Sequence, residues 1–404
     1  MPPPYRYASI VLQRKAQIIA IQSRWSSAVT FSARIIETPA REIAGFGVGT
    51  KVKALAYTDL VGPVAQGDIV RIDCTPLAKQ LGTGGYAMTL STETLPDDWL
   101  SSGHIMKARY TPYQQMVLST EEEASPHRDI MAKAHSLDQI PVVIADLHSA
   151  VPAVVAALRA LNPRWRIVYV MDDTAALPIV FSRAVAQMRH DGELAATVTS
   201  GQSYGGDLEA ASIPSALLSA YHVARADCII VAQGPGNLGT GTTFGFSGTA
   251  VSHVIHSAHS LGGTPLPVVR ASQADTREEH RGISHHSLTT LLTLTLVGTR
   301  IGLVDIDSSH TPSDVVSAYR YGASLLAAHH DISWYDSDLC RNLLAHSQVR
   351  LSTMGRSFEE DELAFTTAAA AALEAQAVMV ARAAKPARDG RHAMRPLGAM
   401  PPKP

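Results

Sequence analysis

Cysteine is scarce in this sequence, and its scarcity excludes two kinds of architecture. Only Cys74, Cys228 and Cys340 occur among 404 residues, an odd number at wide spacing. That pattern excludes a disulfide framework and a zinc site built from cysteine pairs. No cysteine has an evident base beside it, so a cysteine hydrolase is not indicated.

An excess of positive charge is also missing. The formal net charge is −2, which gives no electrostatic reason to expect nucleic acid or an anionic membrane as a partner. No apolar run approaches the length that spans a membrane, and the N-terminus MPPPYRYASIVLQRKAQIIAIQ lacks the pattern of a signal peptide. We therefore expect a cytoplasmic protein that binds neither nucleic acid nor membrane.

Several catalytic motifs are absent as well. The stretch GPGNLGTGTTFGFSG, residues 234–248, has six glycines but no P-loop lysine. Gly234, Gly236 and Gly239 match the spacing G-x-G-x-x-G, yet a further run separates them from the next helix, which disfavours a dinucleotide site. Neither Ser182 nor Ser247 lies in a G-x-S-x-G turn, so a serine hydrolase is not supported, and no H-E-x-x-H occurs.

The pattern of apolar runs changes along the chain and divides it into regions, and a length of 404 residues also suggests more than one domain. Residues 1–120 contain short β-type runs broken by Gly and Pro, which predict a small β-barrel or sandwich. Residues 121–140 are polar and are predicted to be a linker. An Ala-rich helix ends the domain that spans 141–384, and the Pro- and Arg-rich tail 385–404 is predicted to be disordered.

The region 141–384 alternates apolar runs with helical patterns. The runs lack the alternation of a half-exposed strand, which is typical of parallel strands covered on both faces. We expect an α/β domain with a doubly wound, mostly parallel, Rossmann-like sheet built from six strand–helix units. The six predicted strands are PVVIADL, RIVYVMDD, LAATVTS, CIIVAQ, LPVVRAS and RIGLVDID.

Polar residues are concentrated after these strands, at what becomes one edge of a parallel sheet. Ligands of open α/β sheets bind at that carboxyl edge. The residues expected there are Asp146, His148, Asp172, Asp173, Asp207, Glu209, Asp275, Glu279, His280, His285, His286, Asp305, Asp307 and His310. This concentration locates a site without naming a reaction.

The glycine-rich loop is predicted to bind an anion, with a phosphate as the leading candidate. Glycines permit close backbone approach, and the helix that follows offers unpaired N–H groups. The competing interpretation is an irregular loop packed on its neighbours. The predicted ligand-binding residues are Gly234, Gly236, Asn237, Gly239, Thr240, Gly241, Thr242, Gly245 and Ser247.

Four residues are selected as candidate catalytic groups: His148, Asp173, Asp207 and His285. A histidine can act as general acid or base beside an orienting carboxylate, and the same four can bind zinc, manganese or iron. Adjacent helical residues point about 100° apart, so only one of His285 and His286 is expected to face the site. His253, His256 and His259 are interpreted as a solvated helix face.

Taken together, these stretches resemble a bacterial family that is catalogued as a domain of unknown function, family 3866. The resemblance spans roughly residues 15–380 and includes LGTGGY, EEEASPHR, DLHS, AALPIVFSR, GGDLEA, the glycine-rich loop, HRGISHHSLT and VRLSTMGRSFEED. It implies that DLHS, the glycine-rich loop and SHH occur together throughout the family, but it does not indicate a reaction. Cys74–Ala78 and Arg128 depart from the family pattern.

The sequence thus favours an enzyme that hydrolyses or transfers a group on a small anionic substrate. A divalent-metal enzyme and a non-enzymatic nucleotide or metabolite sensor, whose β domain binds a partner, stay open as alternatives, and so does a homo-oligomer. The anion is predicted to bind at the glycine loop, with His148 or His285 as acid or base and Asp207 or Asp173 as orienting group or metal ligand.

Overall fold

The computed structural model describes residues 11–40, 43–81, 84–97, 101–306 and 311–384. Asp307, His310 and the predicted disordered tail 385–404 lie outside the described residues, and so does Gly82 of the LGTGGY stretch.

The N-terminal region is a closed five-stranded barrel, which confirms the barrel option. Its strands run in the order β1-β2-β3-β5-β4, and the long first strand pairs with both β2 and β4 to close it. Alternate residues such as Ile18, Phe31 and Ile72 are buried inside, as expected for strands with one face on a core. The bounds are β1 Gln13–Trp25, β2 Ala28–Glu37, β3 Lys51–Tyr57, β4 Ile69–Asp73 and β5 Ala87–Thr92, with short helices α1 Thr58–Val61 and α2 Thr75–Ala78.

The segment after the barrel packs on the edge of the α/β region. It contains a hairpin of β6 Ile105–Lys107 and β7 Gln115–Val117, followed by α3 Arg128–Met131. Lys107 is fully buried, and its Nζ donates to the carbonyls of Ser203 and Ala210. Thr120 N donates to Glu209 O, so the chain is attached to this edge immediately before the predicted linker.

The main sheet has six parallel strands in the order β11-β10-β9-β12-β8-β13. Every residue of β8, β9, β10 and β12 is buried, which explains their unbroken apolar runs. The bounds are β8 Pro141–Ala145, β9 Ile167–Asp172, β10 Ala196–Ser200, β11 Leu208–Ala210, β12 Cys228–Gln233 and β13 Thr264–Pro267.

One of the six predicted strands belongs elsewhere. The run RIGLVDID forms the strand β16, Arg300–Asp305, which pairs in parallel with β17, Asp331–Asp336, outside the main sheet. The short β11 takes the sixth place, because the chain after β10 returns and runs beside it. The prediction of six units in one sheet is therefore wrong in its last member, although the sheet is parallel as expected.

Helices and short hairpins complete the α/β region. After successive strands of the sheet come α4 Val151–Leu161, α5 Arg183–His190, α6 Ile213–Leu218 and α7 Ala250–Ser260. The remaining elements are β14 Ala271–Ser272, β15 Gly282–Ile283, α8 His285–Leu288, β16 Arg300–Asp305, α9 Ser313–Leu326, β17 Asp331–Asp336, α10 Ser337–Leu344, β18 Ser352–Thr353, β19 Arg356–Ser357 and α11 Leu363–Ala384.

The Ala-rich helix α11 is a core element. Its 22 residues are long and apolar enough to cross a membrane, so the expectation that no run reaches that length is wrong. Most of the apolar stretch is buried inside the protein, however, where small side chains allow the helix to pack against α4, β8 and β16.

Candidate functional site

The loops that leave β8, β12 and β13 meet at the carboxyl edge of the sheet. These strands are neighbours, and each is followed by a polar residue: Asp146 after β8, Gln233 at the end of β12, and Arg270 shortly after β13. Gln233 is buried, and its Nε2 donates to the carbonyl of Asp146 and, at 3.2 Å, to Oδ1 of Asn237. The first loop and the glycine-rich loop are thereby tied together.

Three histidines converge beside this junction. The ring centroids of His280, His285 and His286 lie 4.3–4.8 Å apart. One ligating nitrogen from each can be chosen so that all three lie within 4.8 Å of one another. His280 and His286 are buried and His285 is half-buried, so the cluster opens on one side. The expectation that only one of the adjacent pair faces the site is wrong, because both rings join the cluster at the start of α8.

Local hydrogen bonds hold the histidine segment in place. Ser284 caps α8 by accepting from the backbone N–H of His286, and its hydroxyl lies 2.7 Å from Nδ1 of His280. Ser284 N donates to the carbonyl of Arg270. Gly282 has a φ of +68°, and a side chain there would meet the backbone nitrogen of Tyr319 at 2.7 Å. The turn that directs His280 toward the other two histidines therefore requires glycine.

A network of ion pairs and hydrogen bonds holds the chain at residues 272–277, just before the histidines. Asp361 is fully buried and accepts from Ser272 Oγ at 2.6 Å, Gln273 N at 2.9 Å and Arg356 Nε at 2.8 Å. Arg356 also pairs with Asp275, which holds Arg277. These guanidinium groups keep the pKa of Asp275 well below its usual range despite its burial. The stretch VRLSTMGRSFEED thus supports the histidine loop.

Burial and neighbouring positive charge keep the imidazoles neutral. Burial, together with His285 and Arg270, lowers the pKa of His286 to about 3. Burial, Arg270 and Arg277 lower the pKa of His280 to about 4. Burial also lowers the pKa of His285. The neutral imidazole is the form that binds a metal ion.

Arg270 brings a positive charge to this edge without a carboxylate partner. Among the described residues, no Asp or Glu oxygen lies within ion-pair distance of its guanidinium, and its Nη1 lies 3.4 Å from Nδ1 of His286. Arg270 and Asp146 line a small cavity together with Ser149 and Ser272. Burial raises the pKa of Asp146, and Arg270 partly offsets that rise.

The glycine-rich loop lies against the histidine cluster. Phe246 stacks on His286, and Gly239 faces the same ring. The loop is closed by bonds from Ser247 Oγ to Asn237 Oδ1 at 2.7 Å and from Thr240 N to Gly245 O at 2.9 Å. Of the predicted ligand-binding residues, Gly234 and Gly236 lie near Leu177, whereas the tip with Thr240, Gly241 and Thr242 is exposed.

His148 lies at the same edge in a different environment. Its Nε2 is 2.7 Å from Ser182 Oγ, and its Nδ1 is 3.2 Å from the carbonyl of Gln233 and 3.1 Å from the hydroxyl of Tyr169. Burial lowers the pKa of His148 to about 4, although the bond to Gln233 opposes the shift. Among the described residues, no hydrogen bond joins His148 to the three clustered histidines.

Asp207 lies at the other end of the sheet from the candidate site. Its carboxylate binds Arg189 and accepts from the backbone and hydroxyl of Thr197, the second residue of β10. Because β11 runs parallel to β10, the chain must first return to the start of that strand, and Asp207 lies at this return point. The expectation that Asp207 follows β10 at the carboxyl edge is therefore wrong.

Asp173 follows β9 at the carboxyl edge but is exposed and accepts from the backbone of Gln202. Of the four residues selected from the sequence, only His285 belongs to the histidine cluster. Asp172 accepts from Thr174 N, and Glu209 pairs with buried Lys107. Arg270 is a residue of the candidate site that the sequence analysis did not select. The sequence held one signal for it, namely its position just after an apolar run.

Comparison with known proteins gives one family and no activity. No curated protein matches the sequence. Residues 53–372, which include most of β3, the barrel strands β4 and β5, the whole main sheet and the histidine cluster, match a family described as "Protein of unknown function (DUF3866)". The match covers well over half of the chain. The chain therefore belongs to the DUF3866 family.

Proposed function

We propose that this protein is a divalent-metal-dependent enzyme that acts on a small anionic substrate. The observation that carries the proposal is the convergence of His280, His285 and His286, whose ligating nitrogens lie within 4.8 Å of one another. Ligands of a tetrahedral zinc ion are roughly 3.3 Å apart, given zinc–nitrogen bonds of about 2.0–2.1 Å. To reach that spacing the three nitrogens would approach one another by at most about 1.5 Å.

The donor set favours zinc. Three neutral imidazoles with an open fourth position are a known arrangement of catalytic zinc, and manganese or iron more often takes carboxylate ligands as well. A metal held in this way supplies Lewis-acid activation of water or substrate. Hydrolysis or group transfer on an ester or phosphate is the chemistry that this arrangement suits.

Arg270 and the glycine-rich loop are the proposed anion site. The guanidinium of Arg270 has no carboxylate partner among the described residues, so most of its donors are free for a phosphate or carboxylate. Phe246 and Gly239 bring the loop to the same cluster, where its exposed backbone can approach a ligand. Asp146, whose pKa is raised and which lines the same small cavity as Arg270, is the candidate proton donor.

The connectivity of the sheet supports a ligand at this position. The connection from β8 to β9 crosses β12, whereas the connection from β12 to β13 crosses β8 in the opposite direction. Right-handed crossovers then put α4 and α7 on opposite faces, and α4 contacts α11 while α7 contacts α6. In doubly wound sheets, loops that diverge in this way open a crevice where ligands bind. A doubly wound, Rossmann-like fold for the main sheet is therefore part of the proposal.

The proposal is tested by metal binding followed by turnover. Protein stripped with a chelator is mixed with zinc or manganese, and bound metal and thermal stability are measured. One ion per chain is expected, with stabilisation of about 2.7 kcal/mol at a hundredfold excess over the dissociation constant. His286→Asn should abolish both effects, and His259→Asn, which changes an exposed histidine of α7, should abolish neither.

Absence of stoichiometric metal in the wild type, with no stabilisation, contradicts the metal centre. A metal that binds but supports no turnover of phosphate or carboxylate esters favours the sensor alternative. A cytoplasmic location, a small-molecule anion as the ligand and the absence of nucleic-acid and membrane partners stay predictions.

A further inference from the structure

A second reactive arrangement lies at the same sheet edge, outside the histidine cluster. Ser182 Oγ and His148 Nε2 are 2.7 Å apart, and the other nitrogen of the same imidazole faces the carbonyl of Gln233. A hydroxyl, a base and a group that orients the base are the parts of an activated nucleophile. The sequence does not indicate this pair, because the two residues are 34 positions apart and no G-x-S-x-G turn marks the serine.

The hydrogen bonds determine the direction of each proton. A carbonyl oxygen can only accept, and the hydroxyl of Tyr169, which also lies near Nδ1, donates to the carbonyl of Ala232 at 3.1 Å. We therefore assign the imidazole hydrogen of His148 to Nδ1, which leaves a lone pair on Nε2. Ser182 Oγ already accepts from the backbone N–H of Val185 at 3.1 Å as the cap of α5. Because Nε2 carries no hydrogen in this tautomer, the hydroxyl hydrogen of Ser182 is donated to it. This is the direction that proton removal from the serine requires.

The start of α5 adds a place for developing negative charge. Val185 N is bound to Ser182 Oγ and Ala186 N to Ser182 O, whereas no bond to a described residue is found for the N–H groups of Arg183 and Ala184. The first N–H groups of a helix lack internal partners and favour an anion. An oxyanion that forms next to Ser182 is within reach of that turn.

A large cleft adjoins this turn. It has a volume of about 1720 Å³ and lies between the barrel and the edge of the main sheet. Its wall includes residues two to four positions before and three to four positions after Ser182, namely Pro178–Val180 and Val185–Ala186, together with Ser26 and Tyr57 of the barrel region. Ser182 itself is buried. Trp25 of β1 holds this wall, since its Nε1 donates to Val180 O and its ring packs under Arg183.

We propose that Ser182 is a nucleophile activated by His148 and that it reacts with small esters that enter from the adjoining cleft. In the reaction, Ser182 Oγ bonds to the electrophilic carbon or phosphorus, the leaving group departs with the electron pair of its bond, and the hydroxyl proton passes to His148 Nε2. Water then releases the acyl or phosphoryl group. The inference does not depend on the histidine cluster, because its parts are separate residues.

Labelling with a small fluorophosphonate tests the proposal on metal-free protein. Serine adds to phosphorus, fluoride leaves, and mass spectrometry locates the modified residue. The expected result is a single label on Ser182. It should be lost in Ser182→Ala and slowed at least tenfold in His148→Gln. Ser212 provides the matched control, because it caps α6 in the same way by accepting from Ser215 N. Ser212→Ala should leave labelling of Ser182 unchanged.

Folding of each variant is checked by its thermal transition, and Ser182→Asp retains a capping oxygen without a nucleophile. The inference is overturned if the folded wild type is not modified at Ser182, or is modified equally at Ser182 and Ser212. This result needs only the wild-type protein and no variant. Labelling that does not respond to His148→Gln overturns the role of the histidine. The test uses no added metal, so its outcome is distinguishable from failure of the metal centre.

Discussion

The ring of Phe246 stacks on the ring of His286 with their centroids 3.9 Å apart and their planes within 5° of parallel. This contact joins the two stretches that stand out most in the sequence, the glycine-rich loop and the SHH segment. It covers one face of the imidazole with an apolar surface and so contributes to its desolvation.

Phe246→Ala is expected to lower stability by about 3 kcal/mol, because a buried aromatic side chain is removed and its cavity closes only partly. Metal affinity should fall too, since His286 loses the surface that fixes its ring. Urea unfolding and metal titration measure the two effects. Phe244, two positions away and 56 % exposed, is the control, and Phe244→Ala should change stability by less than about 0.5 kcal/mol. Equal effects of both changes contradict the prediction.

Two glycines of the loop should respond differently to alanine. A methyl group on Gly248 lies 3.1 Å from Cβ of Asp146 and 3.2 Å from the ring of Phe246, so Gly248→Ala is expected to cost about 1–3 kcal/mol through overpacking. A methyl group on Gly239 meets only His286, at an ordinary 3.8 Å. Gly239→Ala should therefore retain wild-type stability in thermal denaturation, and a large loss there shows that the loop is packed more tightly than described.

Stability should fall in mild acid partly because of His148. Its pKa is about 4 in the folded protein and about 6.5 in an unfolded chain. Between these values the unfolded state binds more protons, so the free energy of unfolding decreases as the pH falls from about 7 toward 4. The contribution of one such group is at most about 3 kcal/mol. In His148→Gln, urea unfolding in a chelator should show a shallower pH slope. An unchanged slope contradicts the assigned environment.

The buried carboxylate of Asp361 is expected to support metal binding without touching the metal, because it fixes the chain that leads to the histidines. Asp361→Asn should destabilise the protein by about 3 kcal/mol, because Arg356 and the hydroxyl of Ser272 lose their common acceptor. It should also weaken metal binding by about tenfold, as changes outside the direct ligands do. Glu360→Gln, on the exposed neighbour that accepts from Ser357 N, is the matched control. If metal affinity falls equally in both variants, Asp361 has no specific role in supporting the metal site.

Local patterns predicted those parts of the structure that depend on local burial. Runs such as PVVIADL and CIIVAQ form strands buried on both faces, and an unbroken apolar run carries that information by itself. The partner of a strand is not encoded locally, which is why β16 was assigned to the main sheet although it pairs with β17.

The same distinction applies to the candidate site. The residue that follows an apolar strand could be located at the carboxyl edge, and Asp146 and His285 do lie there. Asp207 was misplaced because the three-residue strand β11 was not recognised, and pairing with β10 moves this aspartate to the opposite edge. Convergence of the three histidines depends on the turn at Gly282 and the cap at Ser284, which fix side-chain directions that spacing alone does not specify.

The central position of α11 has a consequence for synthesis. This helix covers α4 and β8, which leave the ribosome more than 200 residues earlier in the chain. Until Leu363–Ala384 has emerged, β8 and the outer side of α4 lack the cover that this helix provides. The α/β region therefore completes its core only late in translation, and a chain that stops before α11 exposes a surface prone to aggregation.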